Sequence, residues 1–164
     1  MATPVSTAER FAYGKPLVTT DPYPVRVMPR STAALVGRIM IAAIFLLSGF
    51  AKIIDLDTTA GYMVQAGIPA ARTLAVIAGL AEIAGGLAIA FGFLARLGAL
   101  GLFIYLIPTT LIFHHFWTFQ GAEQKTQLVN FMKNLAIMGG LLVLFAEGPA
   151  RLSIDARLRK PKEP

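Results

Sequence analysis

The chain of 164 residues is long enough for one domain, and 55% of its residues are hydrophobic while only 15% are charged. A soluble domain carries about 25% charged residues, so the composition is typical of a membrane protein. The net charge of +6 comes from basic residues on both sides of an apolar block, a pattern that argues against nucleic-acid binding. Because the chain has no cysteine, a disulfide, a thiolate metal site and thiol redox chemistry are excluded.

Residues 1–32 are predicted to form a flexible N-terminal tail, since proline and threonine are frequent and the apolar residues show no period. The alternative is a docking segment, because Phe11, Tyr13 and Tyr23 are unusual in a pure linker. The tail lacks the apolar run and cleavage site of a signal peptide, so the first apolar helix is expected to act as an uncleaved signal.

Four apolar stretches predict an all-α fold, an integral membrane four-helix bundle over residues 33–150. A spanning helix needs about 20 mainly apolar residues. The predicted spans are 33–51, 73–95, 97–116 and 128–146. Between them we expect a short amphipathic helix over 58–65, a tight hairpin at Arg96 and a polar loop over 119–127. Gly148-Pro149 ends the last helix, and residues 151–164 form a basic C-terminal tail.

The distribution of basic residues predicts the orientation. An even number of spans puts both termini on one side, which together with the Arg96 turn holds ten Lys and Arg residues. Arg38, at that end of the first helix, is expected to extend its guanidinium to the same interface. The positive-inside rule therefore places both termini in the cytoplasm of a multi-pass membrane protein. The opposite side carries four basic residues: Lys52, Arg72, Lys125 and Lys133.

Glu82 is the most unusual residue of the apolar block, because a charge at membrane depth costs about 2.5–3.5 kcal/mol on insertion scales. It lies about ten residues into the second span, at a depth of roughly 15 Å. Gly79 and Gly86 share its helix face and allow a neighbouring helix or a ligand to approach the backbone. Glu82 is expected either to bind a ligand as a proton or hydrogen-bond acceptor, or to form an ion pair within the bundle.

Lys52 is the first candidate for the cation of that ion pair. It lies near the outer end of the first span, one turn after Ser48. Its ammonium group either extends to the interface or turns inward toward Glu82. Lys133 and His115 are the alternative partners of the Glu82 carboxylate.

The two histidines, His114 and His115, end the third span. Adjacent helical residues point about 100° apart, so these two cannot both ligate one haem iron. The chain has no other histidine, which excludes an intra-chain bis-histidine haem. A single histidine at a metal or quinone site is one interpretation, and an interfacial histidine bonded to backbone or water is the other.

Polar residues also begin the fourth span and are predicted to share one helix face. Asn134 adjoins the apolar run, where an unpaired amide is expensive, so we expect its side chain to bond to another helix. Because all these groups lie toward the outer end, they predict one polar pocket that opens outward. The candidate cofactor-binding residues are Lys52, Glu82, His114, His115, Lys133 and Asn134, with no catalytic residue or metal ligand assigned.

The chain resembles the DoxX family of small bacterial membrane proteins over residues 34–155. Each motif is weak alone, but their order on four spans is specific. The motifs are Gly37-Arg38, Ser48-Gly49-Phe50-Ala51-Lys52, Gly67-Ile68-Pro69, Gly79-Leu80-Ala81-Glu82 with Gly85-Gly86, His114-His115-Phe116-Trp117, Phe131-Met132-Lys133-Asn134-Leu135, Gly148-Pro149 and Ser153-Ile154-Asp155.

The resemblance implies a four-helix inner-membrane protein. Some relatives are linked to thiosulfate:quinone oxidoreductase in sulfur-oxidising archaea and others to membrane oxidoreductase complexes in oxidative-stress defence; the family offers no agreed catalytic residues. Our leading hypothesis is an accessory membrane subunit of a quinone-linked or redox-defence oxidoreductase system, with a quinone as the candidate cofactor. The alternatives are a small transporter or efflux component and a structural or assembly subunit. The expected partners are the lipid bilayer, oxidoreductase subunits and a second copy of the chain.

The orientation can be tested with single cysteines, because the native chain has none. Cysteines introduced at Ala8 and at Lys160 should resist an impermeant thiol reagent in intact cells, whereas one introduced at Gly121 should be labelled. All three should react once the cells are permeabilised. Labelling of either terminus in sealed cells would overturn the predicted orientation.

Overall fold

The computed structural model describes residues 30–158, and this part of the chain contains helices and no strand. Four helices are long and apolar enough to cross a membrane, which confirms the predicted all-α bundle. In chain order the elements are α1 (Arg30–Ile54), α2 (Leu56–Gln65), α3 (Ala71–Phe91), α4 (Ala95–Phe113), a 3-10 turn (Phe116–Thr118), α5 (Gly121–Glu147) and α6 (Ile154–Leu158). The spanning helices are α1, α3, α4 and α5, and the predicted short helix is confirmed as α2.

Two predicted connections are wrong in their position. The expected polar loop over 119–127 is helical from Gly121 onward, because glutamate, glutamine and lysine are good helix formers when a helix end extends beyond lipid. The α3–α4 hairpin turns at Gly92 and Leu94, both with positive φ, and Arg96 lies in the first turn of α4. The predicted N-terminal tail lies outside the described residues, except that α1 begins at Arg30.

The bundle has two different ends, named here by the short helix that lies at each. The α2 end carries α2 and the 3-10 turn, and the α6 end carries the α3–α4 hairpin and α6. Each half has its own apolar cluster, and four buried residues near the α2 end form the smaller one: Met63, Ala71, Ala75 and Ala78. The larger cluster, toward the α6 end, consists of Ala42, Phe45, Ile89, Ala99, Leu102, Leu106, Leu141 and Leu144.

Glycines bring α1 and α3 into close contact. A Cβ atom added to Gly49 would lie only 2.8 Å from the backbone oxygen of Gly79. One added to Gly86 would lie 3.4 Å from the backbone oxygen of Ala42. Small residues at such positions let two membrane helices approach closely enough for van der Waals packing and short polar contacts. The α1–α3 pair is therefore held at a separation that larger side chains would not permit.

Arg38 does not extend to the interface as predicted, because the C-terminal segment covers it. Its side chain is buried, with only 2% of the residue exposed. The guanidinium Nη2 donates a hydrogen bond of 2.5 Å to the backbone oxygen of Leu152. A charged side chain that finds an acceptor inside the fold has no need to reach the headgroups.

Asp155 fixes the same segment to the α3–α4 hairpin. Its two carboxylate oxygens accept hydrogen bonds from the backbone N–H groups of Leu94 (3.0 Å) and Ala95 (3.2 Å). Its own backbone N–H donates to the oxygen of Gly92 at 2.9 Å. A carboxylate at a helix N-terminus satisfies donors that lack helical partners and complements the helix dipole. The described part of the predicted C-terminal tail thus packs against the bundle and closes its α6 end.

The α1–α3 contact gives a stability prediction. Gly49→Ala should lower the free energy of unfolding by about 1–3 kcal/mol, because its methyl group overlaps the α3 backbone. The measurement is the thermal unfolding midpoint of the purified protein in a mild detergent. Gly37→Ala is the matched control on the same helix, since its methyl group would meet no atom within 4 Å. Equal midpoints for the two variants would contradict the close contact.

Candidate functional site

Lys52 and Glu82 form a direct ion pair between α1 and α3. The Lys52 Nζ atom lies 3.0 Å from Glu82 Oε2 and also donates a hydrogen bond of 2.6 Å to Ser48 Oγ. The Glu82 side chain is only 4% exposed and the Lys52 side chain 22%. The predicted inward turn of Lys52 is confirmed, and no bridging water is needed.

The close α1–α3 contact explains how these two residues meet. Lys52 lies one turn beyond Gly49 toward the α2 end, whereas Glu82 lies one turn beyond Gly79 toward the α6 end. The two backbones therefore differ in depth by roughly 9 Å, at ~1.5 Å per residue. The extended lysine side chain covers this distance because the glycines keep the helix axes near each other.

A cavity of about 590 Å³ lies between α3 and α4, beneath α2, and Lys52 is part of its wall. Its lining is mostly apolar, with a few polar side chains, which is the usual make-up of a small-molecule site. The lining residues are Lys52, Thr59, Tyr62, Met63, Ile68, Leu74, Ile77, Ala78, Ala81, Tyr105, Pro108, Thr109, Ile112, Phe113 and His114.

Tyr105 is a site residue that the sequence interpretation missed. It lines the cavity, and its phenol lies beside the Glu82 carboxylate. The available signal was its position, since it follows the first residue of α4 by ten residues and so lies at a depth of roughly 15 Å. Tyrosines of membrane helices are enriched at the interfaces, so one placed near mid-membrane indicates a polar partner.

The two histidines have different environments. His114 lines the cavity, and its Nδ1 atom lies 2.9 Å from Gln127 Oε1 on α5. His115 lies outside the cavity wall, with Nδ1 2.7 Å from the backbone oxygen of Ile112. Its ring also packs against Phe119, with centroids 5.1 Å apart. His115 therefore has the interfacial, backbone-bonded environment that was one of its two interpretations.

The two predicted site residues of α5 also lie outside the cavity wall. Asn134 Nδ2 donates a hydrogen bond of 3.0 Å to Thr110 Oγ1 on α4, which confirms the expected bond to another helix. Lys133 is exposed, and its Nζ atom lies 3.4 Å from Asn130 Oδ1 on its own helix. The predicted six-residue pocket is thus divided in the structure. Lys52 and His114 line the cavity. Glu82 lies outside the cavity wall and forms the ion pair with Lys52. The other three residues also lie outside the wall: His115, Lys133 and Asn134.

Comparison with known proteins identifies the family. The sequence model named DoxX matches residues 33–115, which include α2, α3, α4 and all but the first turn of α1, with the Lys52–Glu82 pair and the cavity. The chain belongs to the DoxX family.

Curated DoxX-like relatives match most of the chain. It is 34% identical over 128 residues to "Inner membrane protein YphA" of Escherichia coli (strain K12), a match that covers 78% of this chain and 91% of that protein. It is 41% identical over 126 residues to "Inner membrane protein YqjF" of the same organism, covering 77% and 92%. No solved structure matches the chain. With these relatives and four spanning helices, the protein is a multi-pass inner-membrane DoxX protein.

The ion pair predicts opposite outcomes for two substitutions of Glu82. Glu82→Gln keeps an acceptor for Lys52 and should preserve folding and expression. Glu82→Leu leaves the Lys52 ammonium group without its counter-charge. Loss of one partner of a fully buried ion pair lowers stability by about 3–5 kcal/mol. The loss should be smaller here because Lys52 is partly exposed. Expression and the unfolding midpoint in detergent should both fall.

A double substitution separates the ion pair from the volume of the glutamate. Adding Lys52→Leu to Glu82→Leu removes the unpaired cation and should recover part of the lost stability, as a double-mutant cycle measures. If Glu82→Leu alone is as stable as the native protein, the ion pair has no structural role.

Proposed function

We propose that this DoxX protein is an accessory membrane subunit of a redox system and that it binds a quinone-like ligand at Lys52. The observation that carries the proposal is the position of the Lys52 ammonium group. It lies in the wall of a largely apolar cavity at membrane depth, and its charge is balanced by Glu82. An apolar cavity with one well-placed donor suits a lipid-soluble ligand that has a polar head group.

The hydrogen bonds of Lys52 favour a neutral acceptor. An ammonium group has three hydrogens, and two of them are directed to Ser48 Oγ and Glu82 Oε2. The third is available to a ligand in the cavity. Because Glu82 already neutralises the charge, an anionic ligand would bring an uncompensated charge into a low-dielectric site. A quinone carbonyl is neutral and accepts a hydrogen bond, so it fits this donor.

The surrounding polar groups supply the proton chemistry that a quinone site requires. Glu82 is a carboxylate, Tyr105 is a phenol beside it, and His114 carries an imidazole in the same cavity wall. Groups of these types serve as general acids and bases. Tyr105 and His114 line the same cavity as Lys52, which supports a site where a head group exchanges protons as well as hydrogen bonds.

The bundle interior argues against the transporter alternative. A transport path needs polar groups or water across the whole membrane. Between the Lys52–Glu82 pair and the α6 end, the described interior consists of the larger apolar cluster, and Arg38 beyond it is covered by Leu152. An apolar layer therefore separates the polar groups around the cavity from Arg38, which supports a binding site over a path across the membrane.

Equilibrium dialysis in mild detergent, with ubiquinone-1 and menaquinone-1 as probes, tests the proposal. The native protein should retain one of them, and Lys52→Met should weaken that binding by about tenfold or more, since a hydrogen bond to a charged group contributes about 1.5–3 kcal/mol. Lys52→Arg should retain much of the affinity because it keeps a charged donor.

Lys133→Met is the matched control, because Lys133 is exposed on α5 and lies outside the cavity wall. Its affinity for the probes should equal that of the native protein. Failure of the native protein to retain either quinone, or full binding by Lys52→Met, would reject the proposed site.

A further inference from the structure

The cavity is bordered by residues on the lipid-facing surface of the bundle. Ile77 on α3 lines it and is 55% exposed, and Leu74 and Ile112 line it and are exposed as well. In a spanning helix, an exposed apolar side chain at this depth faces hydrocarbon. The cavity between α3 and α4 is therefore adjacent to the bilayer interior.

The hairpin geometry gives the depth of this opening. Because α3 and α4 run antiparallel from one turn, residues at equal distances from Phe93 lie at similar depths. This places Leu74 near Ile112, and Ala81 near Tyr105. At ~1.5 Å per residue, the opening extends from roughly 4 Å to 15 Å below the start of α3. That range lies within the nearer half of a hydrocarbon core about 30 Å thick.

Helix α2 covers the side of the cavity that faces water. Met63 is buried against α3, and Tyr62 contributes to the cavity wall. Asp55 caps the helix by accepting a hydrogen bond of 3.2 Å from the Thr58 backbone N–H. These contacts fix α2 above the cavity, so the more direct route to Lys52 is from the side.

A further contact between α2 and α3 is an exposed ion pair between Arg72, at the start of α3, and Asp57 in α2. Exposed ion pairs contribute only about 0–1 kcal/mol, so this pair orients α2 more than it stabilises it. On the other wall, Pro108 lies inside α4 beside the cavity. Proline removes one helical hydrogen bond. The loss of this bond makes α4 easier to bend away from α3 at the opening.

We propose that the ligand carries a long apolar tail and reaches Lys52 from the bilayer through the opening between α3 and α4. Its neutral carbonyl head group lies at Lys52, and its tail leaves past Ile77 into the lipid. This inference rests on the proposed function and adds to it the ligand class, a tailed neutral carbonyl compound, and the residues of the opening. In this arrangement Ile77 contacts the tail, which must be flexible to pass it, and does not contact the head group.

Two α3 variants test the opening. Ile77→Trp places an indole in the opening, whereas Leu80→Trp is its matched control. Leu80 lies on the same helix, is also 55% exposed and lies outside the cavity wall. Both variants add the same ring to a lipid-facing position, so both should fold with unfolding midpoints like that of the native protein.

Binding is measured by equilibrium dialysis of the full-length protein in lipid nanodiscs, with decylubiquinone as the tailed probe and ubiquinone-0 as the tailless probe. Ile77→Trp should weaken decylubiquinone binding by about tenfold or more. The indole occupies the opening, so part of the apolar tail is no longer buried against the protein. Its affinity for ubiquinone-0 should change by less than about twofold. Leu80→Trp should bind both probes as the native protein does.

The outcomes separate this inference from the proposed function. If Ile77→Trp binds decylubiquinone as tightly as the native protein, the lateral opening is rejected while the quinone site stands. Equal weakening of both probes would mean that Ile77 belongs to the head-group site, which also rejects the opening. If the native protein binds neither probe, the proposed function itself fails and this inference fails with it.

Discussion

A carboxylate at membrane depth needs a partner, and the arrangement of this bundle follows from that constraint. Glu82 is buried on α3, where an uncompensated charge would be costly. Its cation comes from α1, and Lys52 reaches it only because Gly49 and Gly79 let the two helices touch. The same pair holds Lys52 in the wall of the α3–α4 cavity. Helix packing, charge compensation and the candidate site thus depend on one ion pair.

The other intramembrane charge is compensated in a different way, which makes the two ends of the bundle unequal. Arg38 donates to the Leu152 backbone, and Asp155 lies near enough to interact with it electrostatically. The C-terminal segment that supplies both residues also caps α4. At the α6 end, polar contacts therefore hold the C-terminal segment against the bundle. At the α2 end, polar side chains line a cavity. This asymmetry fits a binding subunit better than a conduit.

The structure shows four spanning helices, the inner-membrane relatives agree with them, and the matching sequence model identifies the DoxX family. The proposed chemistry comes from the site alone. Lys52, a phenol and an imidazole line an apolar volume that reaches the lipid-facing surface, and Glu82 neutralises Lys52. Fold membership cannot specify a ligand, so our proposal of a lipid-soluble molecule with a hydrogen-bond acceptor rests on these groups. A quinone satisfies both requirements.

The sequence by itself determined the four spans, the short α2 helix and the interhelical bond of Asn134, and it indicated Lys52 as the first candidate partner of Glu82. Each of these follows from a free-energy requirement that the sequence itself shows. A spanning segment must be long and apolar enough to cross the bilayer, and a polar group within it must find a partner. Only the tertiary structure decided that α3 and α4 enclose a cavity, that Tyr105 lies beside Glu82 and that Arg38 is buried. The physical reason is that lipid and protein interior are equally apolar, so hydrophobicity cannot tell which face of a spanning helix meets a neighbour.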